Sequence, residues 1–310
     1  MNKINIKNAL SSGKLIGVYT DMCPFFDKNI CSVEKNKREF IDNLNAWRNS
    51  GINLITLGLQ SPNPFDEYYK KAREQNKTKD ISFRSSAIKP DGSLDYDFLA
   101  NSEDIINAAD KLDFAVLVNI LSPSCENIFE DEFAIINGVF NITDWLLEKN
   151  FSNIFVNITD VSHTFYKSSV LENGRIIKIL KSVREKAKDN IILGAGIKSF
   201  NNIIEKNICE YINYSDFIPI YSNSAVSAKS NQNTKKMIEN IYFFRRITRE
   251  QGREDDVPII MAKGDNLDEK HNSYGKNNLL EAQENNISWC YYDRENFIIL
   301  PVKWNMNLKI

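Results

Sequence analysis

Short runs rich in Val and Ile punctuate this 310-residue chain, and the positions just after them hold polar or aromatic side chains. In chain order these are Asp21, Gln60, Asn119, Asp160 with His163, Lys198, Tyr221 with Asn223, Lys263 with Asp265, and Trp289 with Tyr292 and Asp293. Amides such as Gln60, Asn119 and Asn223 carry donors and acceptors together, whereas Tyr221, Trp289 and Tyr292 present flat apolar rings with a polar edge. Gathered on one rim, such a set suits a sugar, whose hydroxyls need forked hydrogen bonds and whose C–H faces stack on aromatic rings.

Other chemistries have less to work with. The two His, His163 and His271, are too few for a three-histidine metal site. The five Cys (Cys23, Cys31, Cys125, Cys209, Cys290) are odd in number, far apart and without a CxxC pair, so neither a disulfide framework nor a zinc site is expected. Thr20-Asp21-Met22-Cys23-Pro24 stands where a dinucleotide-binding GxGxxG would follow the first apolar run, and no GxxxxGK[ST] occurs. No cofactor is expected. Thirty-nine Lys plus Arg against 41 Asp plus Glu leave a formal charge of -2, which carries no footprint for nucleic acid. Arg245-Arg246 and the Lys70–Lys79 stretch read as solvated faces. The polar Met1–Lys14 segment lacks the apolar core of a secretory signal, and no run of about 18 apolar residues would span a bilayer. Asn is frequent enough to make sequons such as Asn157-Ile158-Thr159 by chance.

What positions the rim is an alternation of strand-like and helix-like periods. Strands are expected at Leu15–Thr20, Asn53–Leu59, Phe114–Ile120, Asn153–Ile158, Ile191–Ala195, Phe217–Tyr221, Pro258–Ala262 and Ser288–Tyr292. Helices are expected at Lys37–Asn49, Tyr96–Lys111, Asp131–Lys149, Gly174–Lys188, Asn201–Ile212, Asn233–Gln251 and Asn277–Asn285. Phe133, Ile136, Phe140 and Leu147 fall near one face of the third helix and are expected to pack on the sheet. Gly51 and Asn150 stand where a left-handed residue ends a helix. Eight strands each followed by a helix predict a single closed (β/α)8 barrel spanning 1–310, with a long loop at 61–94 over the top face.

At the level of motifs the chain resembles the cellulase-like retaining glycoside hydrolases of the large (β/α)8 superclan, and within it a bacterial group whose members are often secreted. The resemblance runs from about Gly13 to Asn305. It is carried by Arg38-Glu39-Phe40 through Trp47-Arg48 and Gly51, Leu59-Gln60-Ser61-Pro62, and Ser86-Ala87-Ile88-Lys89-Pro90-Asp91-Gly92-Ser93-Leu94. Further on come Ala108-Ala109-Asp110, Asp144-Trp145-Leu146-Leu147, Val257-Pro258-Ile259-Ile260, Ile287-Ser288-Trp289 and Pro301-Val302-Lys303-Trp304. The resemblance implies two catalytic glutamates about 5 Å apart, an acid/base after the fourth strand and a nucleophile ending the seventh. It also implies a Trp at the eighth strand as a sugar platform and a Tyr or His near the sixth.

Here the chain departs from that pattern. Asp160 falls at the family's Asn and Val161 at its acid/base Glu, while Lys263 takes the place of the nucleophile. Valine cannot donate a proton, and an ammonium repels an oxocarbenium ion. Gln60, Asn119, Tyr221, Asn223, Trp289 and Tyr292 remain as candidate glycan contacts. The expectation is therefore a glycosidase-like barrel that has lost retaining hydrolysis and either holds a glycan on its top face or serves a structural role beside other protein subunits. The alternative is an active hydrolase in which Asp160 and Asp265 act as a shifted carboxylate pair; against it, a one-residue shift reverses side-chain direction along a strand. Asp160 and Asp265 can equally be caps or loop-tip acceptors, Lys263 can pair with Asp160 or Asp293, and Trp289 can be a core residue. A Schiff-base role for Lys263 would need a depressed pKa.

Overall fold

The structure, a computed structural model, describes residues 1–19, 32–60, 86–122, 128–159, 173–196, 205–221, 242–243, 245–250, 252, 256–263 and 279–292. Its strands are β1 (Ile16–Tyr19), β2 (Leu54–Gly58), β3 (Ala115–Leu121), β4 (Ile154–Thr159), β5 (Leu193–Gly194), β6 (Ile218–Tyr221), β7 (Ile259–Lys263) and β8 (Ile287–Tyr292). All of the pairings are parallel, in the order β5-β4-β3-β2-β1-β8-β7-β6. Parallel strands need crossovers, and these are α2 (Val33–Asn49), α3 (Tyr96–Lys111), α4 (Glu132–Lys149), α5 (Asn173–Ala187) and α6 (Glu205–Tyr214), with helical segments at 245–250 and 279–284. The result is a nearly closed (β/α)8 barrel.

Closure is completed by side chains at one seam. Among the described residues no ladder joins β5 to β6; instead Asp216 N donates to Leu193 O at 2.7 Å, and the Asp216 carboxylate accepts from Leu193 N at 2.8 Å. Arg184 of α5 bonds the same carboxylate and donates to Lys188 O at 2.7 Å, tying the end of its helix to the seam.

The polar N-terminus is a helix that the sequence pattern did not reveal, α1 (Lys3–Ser11), capped by the Asn2 side chain accepting from Asn5 N at 3.0 Å. It touches β4, β7 and β8, strands on different sides of the ring, so it lies across the lower opening, with Ile6 and Leu10 buried. Gly13 follows with φ +64°, its backbone so close to Asn286 that a Cβ would sit 2.5 Å from the Asn286 carbonyl carbon. The crossover helices carry their expected punctuation. Ser32, Asp95 and Asp131 cap α2, α3 and α4 through side-chain oxygens, and Asn150 ends α4 in the left-handed region.

Two expectations change. The buried stripe of α4 is Ile135, Gly138, Val139, Ile142 and Leu146; Phe133 is 74% exposed, and Ile136, Phe140 and Leu147 lie only at the margin. This helix is apolar on two faces, and the one with the small Gly138 wins because Ile88 packs there, 2.5 Å from where a Cβ would be. The long loop, too, is not uniform. Residues 61–85 lie outside the described residues, whereas 86–95 form a tight turn with an Ile88–Leu94 bridge, a Lys89 N to Ser93 O bond of 2.8 Å and Ala87 and Ile88 in the core.

Candidate functional site

Two glycines reveal which residues face into the barrel. A Cβ on Gly17 of β1 would stand 2.7 Å from Leu54 Cγ on β2 and 2.9 Å from Cys290 Sγ on β8. Side chains from the strands flanking a third converge over it only on the concave face, so Gly17, Leu54 and Cys290 point inward. On the opposite wall a Cβ on Gly194 would stand 2.8 Å from Phe217 Cζ, and Phe217 meets Phe155 of β4 edge-on with ring centroids 5.1 Å apart. Alternation then turns Thr56 and Gly58, Leu117 and Asn119, and Asn157 and Thr159 into the barrel as well.

Toward the mouth this inner face becomes polar. Gly58, Asn119, Asn157 and Gly194 stand side by side in register on β2, β3, β4 and β5. Asn157 Nδ2 donates to Asn119 Oδ1 at 2.9 Å, and Asn157 Oδ1 accepts from Gly196 N at 2.9 Å, an N–H that also reaches Thr159 O at 3.1 Å. The Tyr211 hydroxyl holds the neighbouring Ala195 carbonyl, and its burial pushes that phenol's pKa up. Asn119 is 6% exposed, and its Nδ2 has no partner among the described residues. Beside it, the only described atom within 4 Å of a Cβ on Gly58 would be Gln60 O at 3.4 Å. Beneath the mouth Leu54, Leu117 and Cys290 are buried, and burial pushes the Cys290 thiol up.

The candidate contacts divide by what their side chains already do. Gln60 is 3% exposed, accepts from Ser122 N at 2.9 Å through Oε1 and faces Ser86 Oγ at 3.4 Å through Nε2. Its bridge to Ser86 closes the base of the excursion that leaves after residue 60, so the amide acts as a strut for that loop. Trp289 lies on the outer face of β8, opposite to Cys290; it is 2% exposed, edge-on to Tyr291 at 6.5 Å, and its Nε1 is buried without a partner among the described residues. That is the setting of a packed wall residue between barrel and helices, and burial pushes its neighbour Tyr291 up to about 12. Tyr292 ends β8 in register with the buried Tyr19. Tyr221 ends β6, and after a shift between Ile220 and Tyr221 it pairs with Lys263, the last residue of β7. Shifts of this kind are frequent beside functional sites, where they re-aim a strand end. Asp160, Val161, His163, Lys198, Asn223, Asp265 and Asp293 lie outside the described residues.

The residues that sequence reasoning passed over are Asn157, Gly58 and Gly196. Asn157 had entered only as part of a chance sequon; it is fully buried with both amide ends engaged, so it is no glycan acceptor in the folded chain. One signal was available. Val-Leu-Val-Asn-Ile-Leu and Phe-Val-Asn-Ile-Thr each place an amide within an apolar strand, and a buried amide demands a partner. Among the described residues no group of three or more His, Cys, Asp or Glu could hold a metal ion, and no helix is long and apolar enough to cross a membrane.

No protein-family model and no curated protein matches the chain. Solved structures do. A GH5-4 broad specificity endoglucanase from an uncultured bovine rumen ciliate superposes with a TM-score of 0.57 at 10% identity, over 93% of this chain and 88% of that one. A GH5-4 broad specificity endoglucanase from Clostridium longisporum gives 0.58 at 9% identity, over 95% and 88%. A tri-modular GH5 endo-beta-1,4-glucanase from Bacillus licheniformis gives 0.58 at 14% identity, over 94% of this chain and 56% of that larger one. At such identities the likeness is one of fold, and the fold it shows is the (β/α)8 barrel that these endoglucanases also have.

Proposed function

We propose that this chain is a glycoside-hydrolase-like barrel that holds an oligosaccharide at its mouth without cleaving it. The observation that carries the reading is Lys263. It is the terminal residue of β7, in register with Tyr221 at the end of β6, and the resemblance assigns that strand end to the nucleophilic glutamate. An ammonium there opposes the positive charge that builds on the anomeric carbon, so the transition state of retaining hydrolysis is disfavoured where the family stabilises it. Val161 at the acid/base position removes the proton donor as well. What supports retained binding is the polar lining of the mouth, with Asn119 offering an N–H that no described residue uses, and the superposition on endoglucanases, one of which was solved with cellotetraose. In this reading Asn119, Tyr221, Asn223 and Tyr292 are the contacts, Gln60 shapes the loop base and Trp289 supports the wall.

The test is to titrate cello- and manno-oligosaccharides into the purified chain and to follow reducing ends in the same samples. Binding with no release of reducing ends is expected. Turnover that disappears in Asp160→Asn would overturn the reading in favour of a working pair formed by Asp160 and Asp265. An absence of both binding and turnover would leave a scaffold role beside other subunits as the better account.

A further inference from the structure

The backbone of Gly196 dictates how the two amides of the mouth are turned. An N–H can only face an acceptor, so the atom of Asn157 at 2.9 Å from Gly196 N is its oxygen, and the amide's NH2 is left to face Asn119. Asn119 must answer with its own oxygen, as it does at 2.9 Å, and its Nδ2 is then the end directed away from the relay. That nitrogen belongs to a side chain more than nine-tenths buried, has no acceptor among the described residues, and stands next to Gly58, where the only described atom within 4 Å of a Cβ would be Gln60 O at 3.4 Å. We infer that the Gly196–Asn157–Asn119 relay sets the polarity of the site: Asn119 presents a donor to the mouth and selects a ligand oxygen that accepts, which for a neutral oligosaccharide is a hydroxyl lone pair. The inference rests on the glycan reading above. Asn157 touches no ligand in it and is a positioning residue.

Two near-isosteric changes test this. In Asn119→Asp the oxygen facing Asn157 is kept while the free nitrogen becomes an oxygen, so a donor turns into an acceptor. In Asn157→Asp the carboxylate still accepts from Gly196 N, but its second oxygen now faces Asn119 and forces that amide to turn over, placing an oxygen at the mouth without any change in the residue there. Cellotetraose binding is measured by calorimetry, the Asn119 side-chain amide resonance is followed by 15N–1H NMR, and melting curves serve as the control for folding. Both variants are expected to weaken binding by about tenfold or more, and in Asn157→Asp the Asn119 resonance is expected to lose its response to sugar while the core resonances match wild type. Should Asn157→Asp fail to fold, Asn119→Asp decides. Affinity within twofold of wild type in the folded variants overturns the relay and leaves the glycan reading standing. Failure of the wild-type chain to bind any sugar overturns both.

Discussion

Gly17 and Gly58 both line the inside of the barrel, one near its floor and the other at its mouth, and their surroundings differ. At Gly17 the missing side chain is replaced by Leu54 and Cys290, which close over the strand; at Gly58 only a carbonyl oxygen of the described residues comes within 4 Å of the corresponding point. The row of Gly58 is itself not uniform: at its far end Gly194 is filled by Phe217, which meets Phe155 edge-on, while Asn157 and Asn119 exchange a hydrogen bond between the two glycines. At Gly17 and Gly194 the absent side chain is the room that large neighbours occupy; at Gly58 the described residues leave most of that room unfilled.

The sharpest way to break that contrast is to give both glycines the same side chain. Gly17→Val drives two branches into Leu54 Cγ and the Cys290 sulfur, neither of which can swing aside in a filled layer, and is expected to cost about 3 kcal/mol in a urea unfolding experiment. Gly58→Val meets no such wall among the described residues. It is expected to change stability by under about 1 kcal/mol and to remove oligosaccharide binding. Equal destabilisation by the two would show that the mouth is as closed as the floor.

The floor has a second device in the Asp216 carboxylate, which accepts from Leu193 N at the seam where the described residues form no ladder between β5 and β6. Replacing it in Asp216→Ala strands the part-buried Arg184 guanidinium and leaves Leu193 N–H without its acceptor. A loss of about 2 kcal/mol is expected, smaller than for Gly17→Val because both partners retain some contact with water. Hydrogen exchange at Leu193 is the local readout. Protection there that survives the substitution would mean that the seam is closed by the Asp216 N to Leu193 O bond alone.

Much of this scaffold was legible from the order of residues. The eight strand runs fall within a residue or two of the observed ones, and Tyr96–Lys111 matches at both ends, because Asp95 caps it and apolar residues recur at helical spacing. What was not legible depends on which way a side chain turns. Composition gives no hint of whether Trp289 faces the inside of the barrel or its helices; Gly17 decides it by admitting the neighbouring Cys290. Phe133 looked like a core residue because α4 is apolar on two sides, and only the fit of Gly138 against Ile88 selects between them. The Asn119–Asn157 relay is invisible for a similar reason, since its residues are 38 apart in the chain and meet only through the β3–β4 register.

The smallest effect tests whether the floor stays dry. Burial raises the Cys290 thiol above its ordinary value of 9.0, and Tyr291 and Tyr211 above theirs of 10.0. For each group the folded chain holds its proton more tightly than the unfolded chain. The stability this contributes is therefore complete below the unfolded pKa and is lost as pH rises past it, because ionisation is available only by unfolding. The urea midpoint is expected to be level from pH 7 to 8 and to decline from about pH 9, first through Cys290 and then through the two phenols. Cys290→Ala should delay the onset to the tyrosine range, at the price of a small constant loss from the vacated space beside Gly17. A midpoint that holds steady to pH 10 would mean that water reaches the sulfur in the folded barrel, and the floor would then be no more sealed than the layer of Asn119 above it.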